Sequence, residues 1–157
     1  MLIRKGCEED MPAVLELIKE LAAFEKEPEA VVITAEDLVR DGYGSDPLFY
    51  TFVAEAEGEI IGMALFYYRY STWKGRTLHL EDLIVKEGKR GTGAGSALYK
   101  AVIKYAKDKG LRRVEWVVLN WNTHAIEFYE RSGAVIVQNW RTVQMDEQGI
   151  TKFTLHL

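Results

Sequence analysis

The chain has 157 residues, enough for one domain with its own core, and a 48% apolar and 28% charged make-up that excludes a disordered segment. Its single cysteine, Cys7, excludes an internal disulfide and fits a reducing compartment. A formal net charge of -4 argues against a nucleic-acid surface, and with no apolar leader and no run of about 20 apolar residues we expect a cytoplasmic protein that binds no membrane.

Leu2–Lys5 reads as a short strand. Asp10 and Pro12 then open a helix whose apolar positions Met11, Val14, Leu15, Ile18, Leu21 and Ala22 keep helical spacing to about Phe24. Thr34 and Asp37 form a capping-box pattern for a second helix, which Gly42 and Gly44 stop. Tyr50–Ala56 and Glu59–Tyr70, rich in β-branched and aromatic residues, make a hairpin about Glu57-Gly58. Arg76–Val85 is a further strand. A glycine cluster follows it, and then a helix with Leu98, Val102, Tyr105 and Ala106 on one face. Arg113–Leu119 reads as a buried strand and Asn122–Ser132 as a helix closed by Gly133. Ala134–Met145 and Ile150–Leu157 read as a closing hairpin about Asp146–Gly149. No repeat or linker interrupts this order, so residues 1–157 are expected to form a single α/β domain.

Arg90-Gly91-Thr92-Gly93-Ala94-Gly95-Ser96 stands between a strand and a helix, where backbone N–H groups converge at the positive end of the helix dipole. Glycines permit close backbone approach, and Lys89 and Arg90 add attraction for phosphate. A Walker loop does not fit, because Gly95-Ser96-Ala97 stands where Gly-Lys-Ser/Thr is required. A dinucleotide fingerprint needs a glycine in place of Ser96 and an acid at the end of the next strand, whereas Glu115 lies near its beginning.

The cluster resembles the Arg/Gln-x-x-Gly-x-Gly/Ala loop of the GNAT acetyltransferase family, with Arg90, Gly93 and Gly95 in the three positions. The resemblance extends over nearly the whole chain to the diamine (spermidine/spermine) acetyltransferase branch. It is carried by Ile18-Lys19-Glu20-Leu21, Asp41-Gly42-Tyr43-Gly44, Leu80-Glu81-Asp82, Trp121-Asn122, Phe128-Tyr129 and Asn139-Trp140-Arg141. It implies a mixed, mostly antiparallel sheet flanked by helices and splayed open at the coenzyme site. It also implies acetyl-CoA as co-substrate, with its pyrophosphate on Arg90, Gly91, Thr92, Gly93, Ala94, Gly95 and Ser96. Leu83, Ile84 and Val85 resemble the stretch that pairs with the pantetheine arm and supplies an N–H to the oxyanion. Asn122, Thr123, His124 and Ala125 resemble a second coenzyme contact. At Ser132 the chain departs from the branch, where a basic residue often helps to hold coenzyme phosphate.

An alkyl ammonium has a pKa near 10.4, so at neutral pH about one molecule in a thousand carries the lone pair that attacks a thioester. Glu81, beside Asp82, is the candidate base, acting directly or through water. Tyr129 matches the family's general acid for the departing thiolate. The family transfers the acetyl group directly, so Cys7 need not act as a nucleophile. No metal is expected, since His79, His124 and His156 are isolated from one another in sequence and no zinc-type spacing occurs.

Phe24, Glu25, Trp73, Glu81, Asp82, Glu115, Trp116, Val117 and Trp140 resemble the branch's acceptor pocket, whose acidic and aromatic walls suit a cation. Polyamine enzymes carry Asp-Pro before the tryptophan. Here Ser71-Thr72-Trp73-Lys74-Gly75-Arg76-Thr77, Leu119 and Phe24-Glu25-Lys26 look like the thialysine acetyltransferases instead. A thialysine- or lysine-like acceptor is therefore ranked first and a polyamine or diamine second. A protein acetyltransferase and a noncatalytic acyl-CoA-binding module come lower. Branch members form homodimers in which both subunits shape the site, and a homodimer is expected here.

Overall fold

Five strands line up in the order β1-β2-β3-β4-β5 in a computed structural model that describes residues 1–155. β1 (Leu2–Lys5), β2 (Tyr50–Ala56), β3 (Glu59–Ser71) and β4 (Gly75–Val85) pair antiparallel, and β5 (Val114–Glu115) joins β4 in parallel. The two-residue turn between β2 and β3 places Glu57 and Gly58 at φ 54° and 77°, the left-handed pair that suits the strands' twist.

Side-chain alternation along β3 sorts the layers. Met63 and Leu65 join Val53 and Ile84 on the face covered by α1 (Met11–Phe24) and α2 (Ala35–Tyr43), through Val14, Leu17 and Leu38. Phe66 turns to the other face, where its ring lies 5.2 Å from that of Tyr105 on α3 (Ala94–Asp108). The first turn of α1 is anchored by Asp10. Its buried carboxylate accepts from Arg4 at 2.7 and 2.9 Å and from the Cys7 N–H at 2.9 Å. The Arg4 guanidinium beside it holds the Asp10 carboxyl below its ordinary value. α2 begins with the predicted box, in which the Thr34 hydroxyl accepts from Asp37 N–H and Asp37 accepts from Thr34 N–H.

The chain divides into two compact units, Met1–Val117, which holds the whole sheet, and a second that begins at Val118. The second contains α4 (Thr123–Arg131) and α5 (Glu147–Thr154). Asn122 and Ser132, expected as the ends of the helix, are instead the caps of α4. Gly133, at φ 94°, closes it, with Gly133 N–H bonded to Glu130 and Ala134 N–H to Tyr129 carbonyl oxygen.

Two expectations are corrected. The strand predicted over Arg113–Leu119 is confined to Val114–Glu115, for a reason that lies in β4 and is given below. The closing hairpin does not form among the described residues: Ala134–Met145 is irregular and Glu147–Thr154 is helical. Asp146 accepts from Gly149 N–H at 2.7 Å and thereby caps α5. An Asp with a glycine three residues on serves a helix start as well as a turn, and here the helix takes it. His156 and Leu157, at the end of that predicted strand, lie outside the described residues.

Candidate active site

β4 is paired on both edges only at Leu78 and His79, opposite Val114 and Glu115. From Leu80 to Val85 it has β3 as its only strand partner among the described residues, so the sheet opens there. The open edge carries the backbone of Leu83, Ile84 and Val85, and such an edge can pair with an extended, amide-bearing arm.

The opening coincides with a β-bulge. Leu80 pairs with Phe66 and Asp82 with Leu65, which leaves Glu81 as an extra residue without a partner in β3. A regular strand would send Glu81 and Asp82 to opposite faces. The bulge instead places Leu80 with Phe66 on the α3 face, and brings Glu81 and Asp82 to the α1 face together. It also turns β4 away from β5, which accounts for the short parallel pairing.

Around Glu81 the structure assembles partners that the sequence reading passed over. Tyr67 hydroxyl donates to Glu81 Oε2 at 2.9 Å, His79 Nε2 lies 3.5 Å from the same oxygen, and the Tyr67 and His79 rings are 5.2 Å apart. Partial burial and the Glu81 carboxylate push the Tyr67 phenol up to about 12, so it stays a donor at neutral pH. Register in the β3–β4 hairpin, which closes with Ser71 opposite Gly75, pairs Tyr67 with His79, two residues before Glu81.

Asp82 is half-buried. Loss of hydration, then the charges of Glu81 and Glu25, raise its carboxyl to about 6. Glu25, at the carboxyl-terminal cap of α1, is raised by desolvation. Three carboxyls thus share one region, with the charges of Glu81 and Glu25 both acting on Asp82. Glu115 differs, since it is paired with both Arg69 and Arg113, the latter at 2.8 Å.

The glycine cluster follows β4. Gly91 and Gly93 have φ of 79° and 86°, a left-handed backbone that disfavours other residues, and open space lies where their β-carbons would be. Gly93 precedes Ala94 at the start of α3 and carries no side chain to cap its first turn, so donors of that turn are left for an anion. Thr92 hydroxyl donates to Lys89 carbonyl at 2.8 Å and stiffens the loop, which continues through Gly95 and Ser96 into α3. These features suit the phosphates of a coenzyme.

Trp116 packs edge-on against Tyr99, centroids 5.7 Å apart, and Val117 is exposed. Trp73 is not brought to the acids. It stands 79% exposed in the β3–β4 turn, where Ser71 hydroxyl accepts from both Trp73 and Lys74 N–H at 3.2 Å. In the second unit Asn122 accepts from Ala125 N–H and caps the helix that starts with Thr123 and the exposed His124. Tyr129 is buried with its ring against Phe128, and Ser132 hydroxyl donates to its carbonyl at 2.6 Å. Trp140 is exposed in the irregular stretch.

Residues 12–134 match the acetyltransferase (GNAT) family. Over 142 residues the chain is 42% identical to thialysine N-epsilon-acetyltransferase of Bos taurus, spanning 85% of this chain and 84% of that protein. It is 37% identical over 133 residues to spermidine/spermine N(1)-acetyltransferase-like protein 1 of Homo sapiens, spanning 80% of this chain and 19% of that one. Among solved structures, an integron cassette protein from the mobile metagenome of V. cholerae superposes with a TM-score of 0.80 at 19% identity. That match covers 98% of this chain and 96% of the other, and it shows the shared fold.

Proposed function

The chain belongs to the acetyltransferase (GNAT) family, and from that premise we propose that it transfers the acetyl group of acetyl-CoA to a primary amine of thialysine or another lysine-like amino acid. The observation that carries this reading is the pairing of opposites on one strand. The bulge of β4 turns two carboxylates to one face, and the same strand leads directly into a glycine loop suited to phosphate.

Acetyl-CoA supplies an activated thioester at whose carbonyl carbon the amine replaces the thiolate. Asp82 and Glu25 hold the acceptor's ammonium group, with Phe24, Trp116, Val117 and Trp140 as walls. Glu81, oriented by Tyr67, accepts the proton that must leave before the nitrogen can attack. A backbone N–H along Leu83 to Val85 stabilises the charge that develops on the acetyl oxygen. Tyr129 delivers a proton to the departing sulfur. Arg90 to Ser96 and the start of α4, Asn122 to Ala125, hold the coenzyme. Tyr129→Phe should keep acetyl-CoA affinity and lose about a hundredfold in turnover, measured by calorimetry beside steady-state rates.

The family match crosses the boundary at Val117, which supports reading residues 1–157 as one acetyltransferase domain. We place the enzyme in the cytoplasm as a homodimer. Trp73 stands about 20 Å of strand away from Glu81, and a dimer offers it a partner's acceptor pocket to complete.

A second reading, a polyamine or diamine acceptor, is favoured by the human relative and by the three clustered acids. Ser71 favours the first, because it contributes no charge to a long polycation. Initial rates with acetyl-CoA against thialysine, lysine, ornithine, putrescine, spermidine and spermine separate them. The expected order puts thialysine first, and a preference for spermidine or spermine would transfer the assignment to the second reading. No acetylation of any small amine would end both.

A further inference from the structure

We propose that Glu20 is a positioning residue for the coenzyme loop, and that it acts as a hydrogen-bond acceptor and not through its charge. The inference rests on the reading of the Arg90 to Ser96 loop as an acetyl-CoA site.

Glu20 lies on α1, one helical turn before Phe24. Its Oε1 accepts the Glu87 backbone N–H at 2.7 Å, across 67 positions of sequence. The same oxygen lies 3.9 Å from the Arg90 guanidinium, which rests 5.3 Å from the centre of the Phe24 ring. Arg90 Nε in turn donates to Val85 carbonyl at 3.2 Å.

Each contact falls on the lead-in to the loop. Lys86 N–H makes the last bond back to the sheet, to Ile61 carbonyl at 2.9 Å. Glu87 N–H is the next donor along the chain, and Glu20 takes it. One tight turn follows, with Lys89 N–H bonded to Lys86 carbonyl and Arg90 N–H to Glu87 carbonyl. The direction in which Gly91 to Ser96 present their donors is therefore set by a side chain of α1. Fixing that direction before the ligand arrives lowers the ordering cost of binding.

Charge would have the opposite effect. An anionic carboxylate beside a loop that binds pyrophosphate repels the ligand, so removing a merely electrostatic Glu20 would tighten binding. A positioning Glu20 predicts weaker binding on removal. The two accounts differ in sign.

The test is calorimetric titration of the full chain with acetyl-CoA at low and moderate salt, with melting temperatures recorded for every variant. Glu20→Ala and Glu20→Met, neither of which can accept a hydrogen bond, should bind about tenfold more weakly than the parent. Glu20→Gln keeps an acceptor oxygen without the charge and should bind at least as tightly as the parent. Glu16→Ala is the control, since Glu16 is an exposed α1 acid paired with Lys19. It should leave affinity within about twofold. The Met variant preserves side-chain length and helix propensity, so it decides the matter if the Ala variant is poorly folded. The proposal is overturned if the Ala and Met variants bind as tightly as the parent, or if the Gln variant loses as much as they do. A parent chain that binds no acetyl-CoA overturns the coenzyme reading and this inference together.

Discussion

The acidic face at the β4 bulge and the glycine loop that follows it serve opposite charges, and they are strained in different ways. At the acidic face the burden is electrostatic: Asp82 loses hydration next to Glu81 and Glu25, and its carboxyl rises to about 6. At the loop the burden is conformational, with Gly91 and Gly93 held at φ of 79° and 86°. A bound cation relieves the first. Only glycine relieves the second, so substitutions that preserve shape should break one region and leave the other intact.

The largest expected effect on coenzyme affinity is at the loop. Gly95 sits inside the first turn of α3, and a β-carbon there would meet Val85 Cγ2 at 3.6 Å, an ordinary contact. Gly95→Val should lose at least about tenfold in acetyl-CoA affinity, because its branched side chain exceeds the Ala that the family's loop admits at this position and blocks close approach of phosphate. Gly93→Ala should also lose affinity, but with about 1 kcal/mol or more of stability lost to its left-handed backbone. Thermal melts beside calorimetry check both. Unchanged affinity in Gly95→Val would show that the phosphates do not approach that position.

The smaller effect is at the acidic face, where the sign reverses. The raised value of Asp82 means that the folded state holds its proton more tightly than the unfolded chain, whose value lies near 3.9. Above about pH 6 both states are ionised and the folded state carries the full penalty, while below about 3.9 both are protonated and the penalty vanishes. Asp82→Asn should thus stabilise the protein by about 1–3 kcal/mol at pH 7–8, discounted for water at a half-buried group, and by well under about 1 kcal/mol at pH 4, where the unfolded carboxyl is only about half ionised. In the same variant kcat/KM for the amine should fall, and an acid limb near pH 6, expected in the parent's profile, should be absent. A variant no more stable than its parent at pH 8 would mean that Asp82 is not crowded by its neighbours.

Much of this was legible in the residues. The hairpin about Glu57-Gly58, the Thr34–Asp37 box and the strand–glycine–helix order all follow from local signals, because each depends on neighbours in sequence. The bulge at Glu81 did not, since an extra residue in β4 is defined only against its pairing with β3. Tyr67 and His79 were missed for the same reason: their relation to Glu81 is one of register. Glu20 was hidden by distance along the chain, its partner being a backbone N–H in Glu87. The Asp146–Gly149 signal misled because turn and helix start share it, and propensity left the choice to context.

The central claim, that Glu81 takes the proton from the acceptor amine, is tested most directly by the pH–rate profile of Glu81→Gln with thialysine, alongside Asp82→Asn and the parent. Gln keeps the size and the hydrogen bond from Tyr67 but cannot accept a proton. The account predicts a kcat reduced about a hundredfold at neutral pH, recovering in part toward the alkylamine's own value near 10.4, where water deprotonates the acceptor unaided. The parent should level off at lower pH. A variant in which KM alone rises, while kcat and its pH profile match the parent, would contradict the claim and make Glu81 a residue that binds the cation.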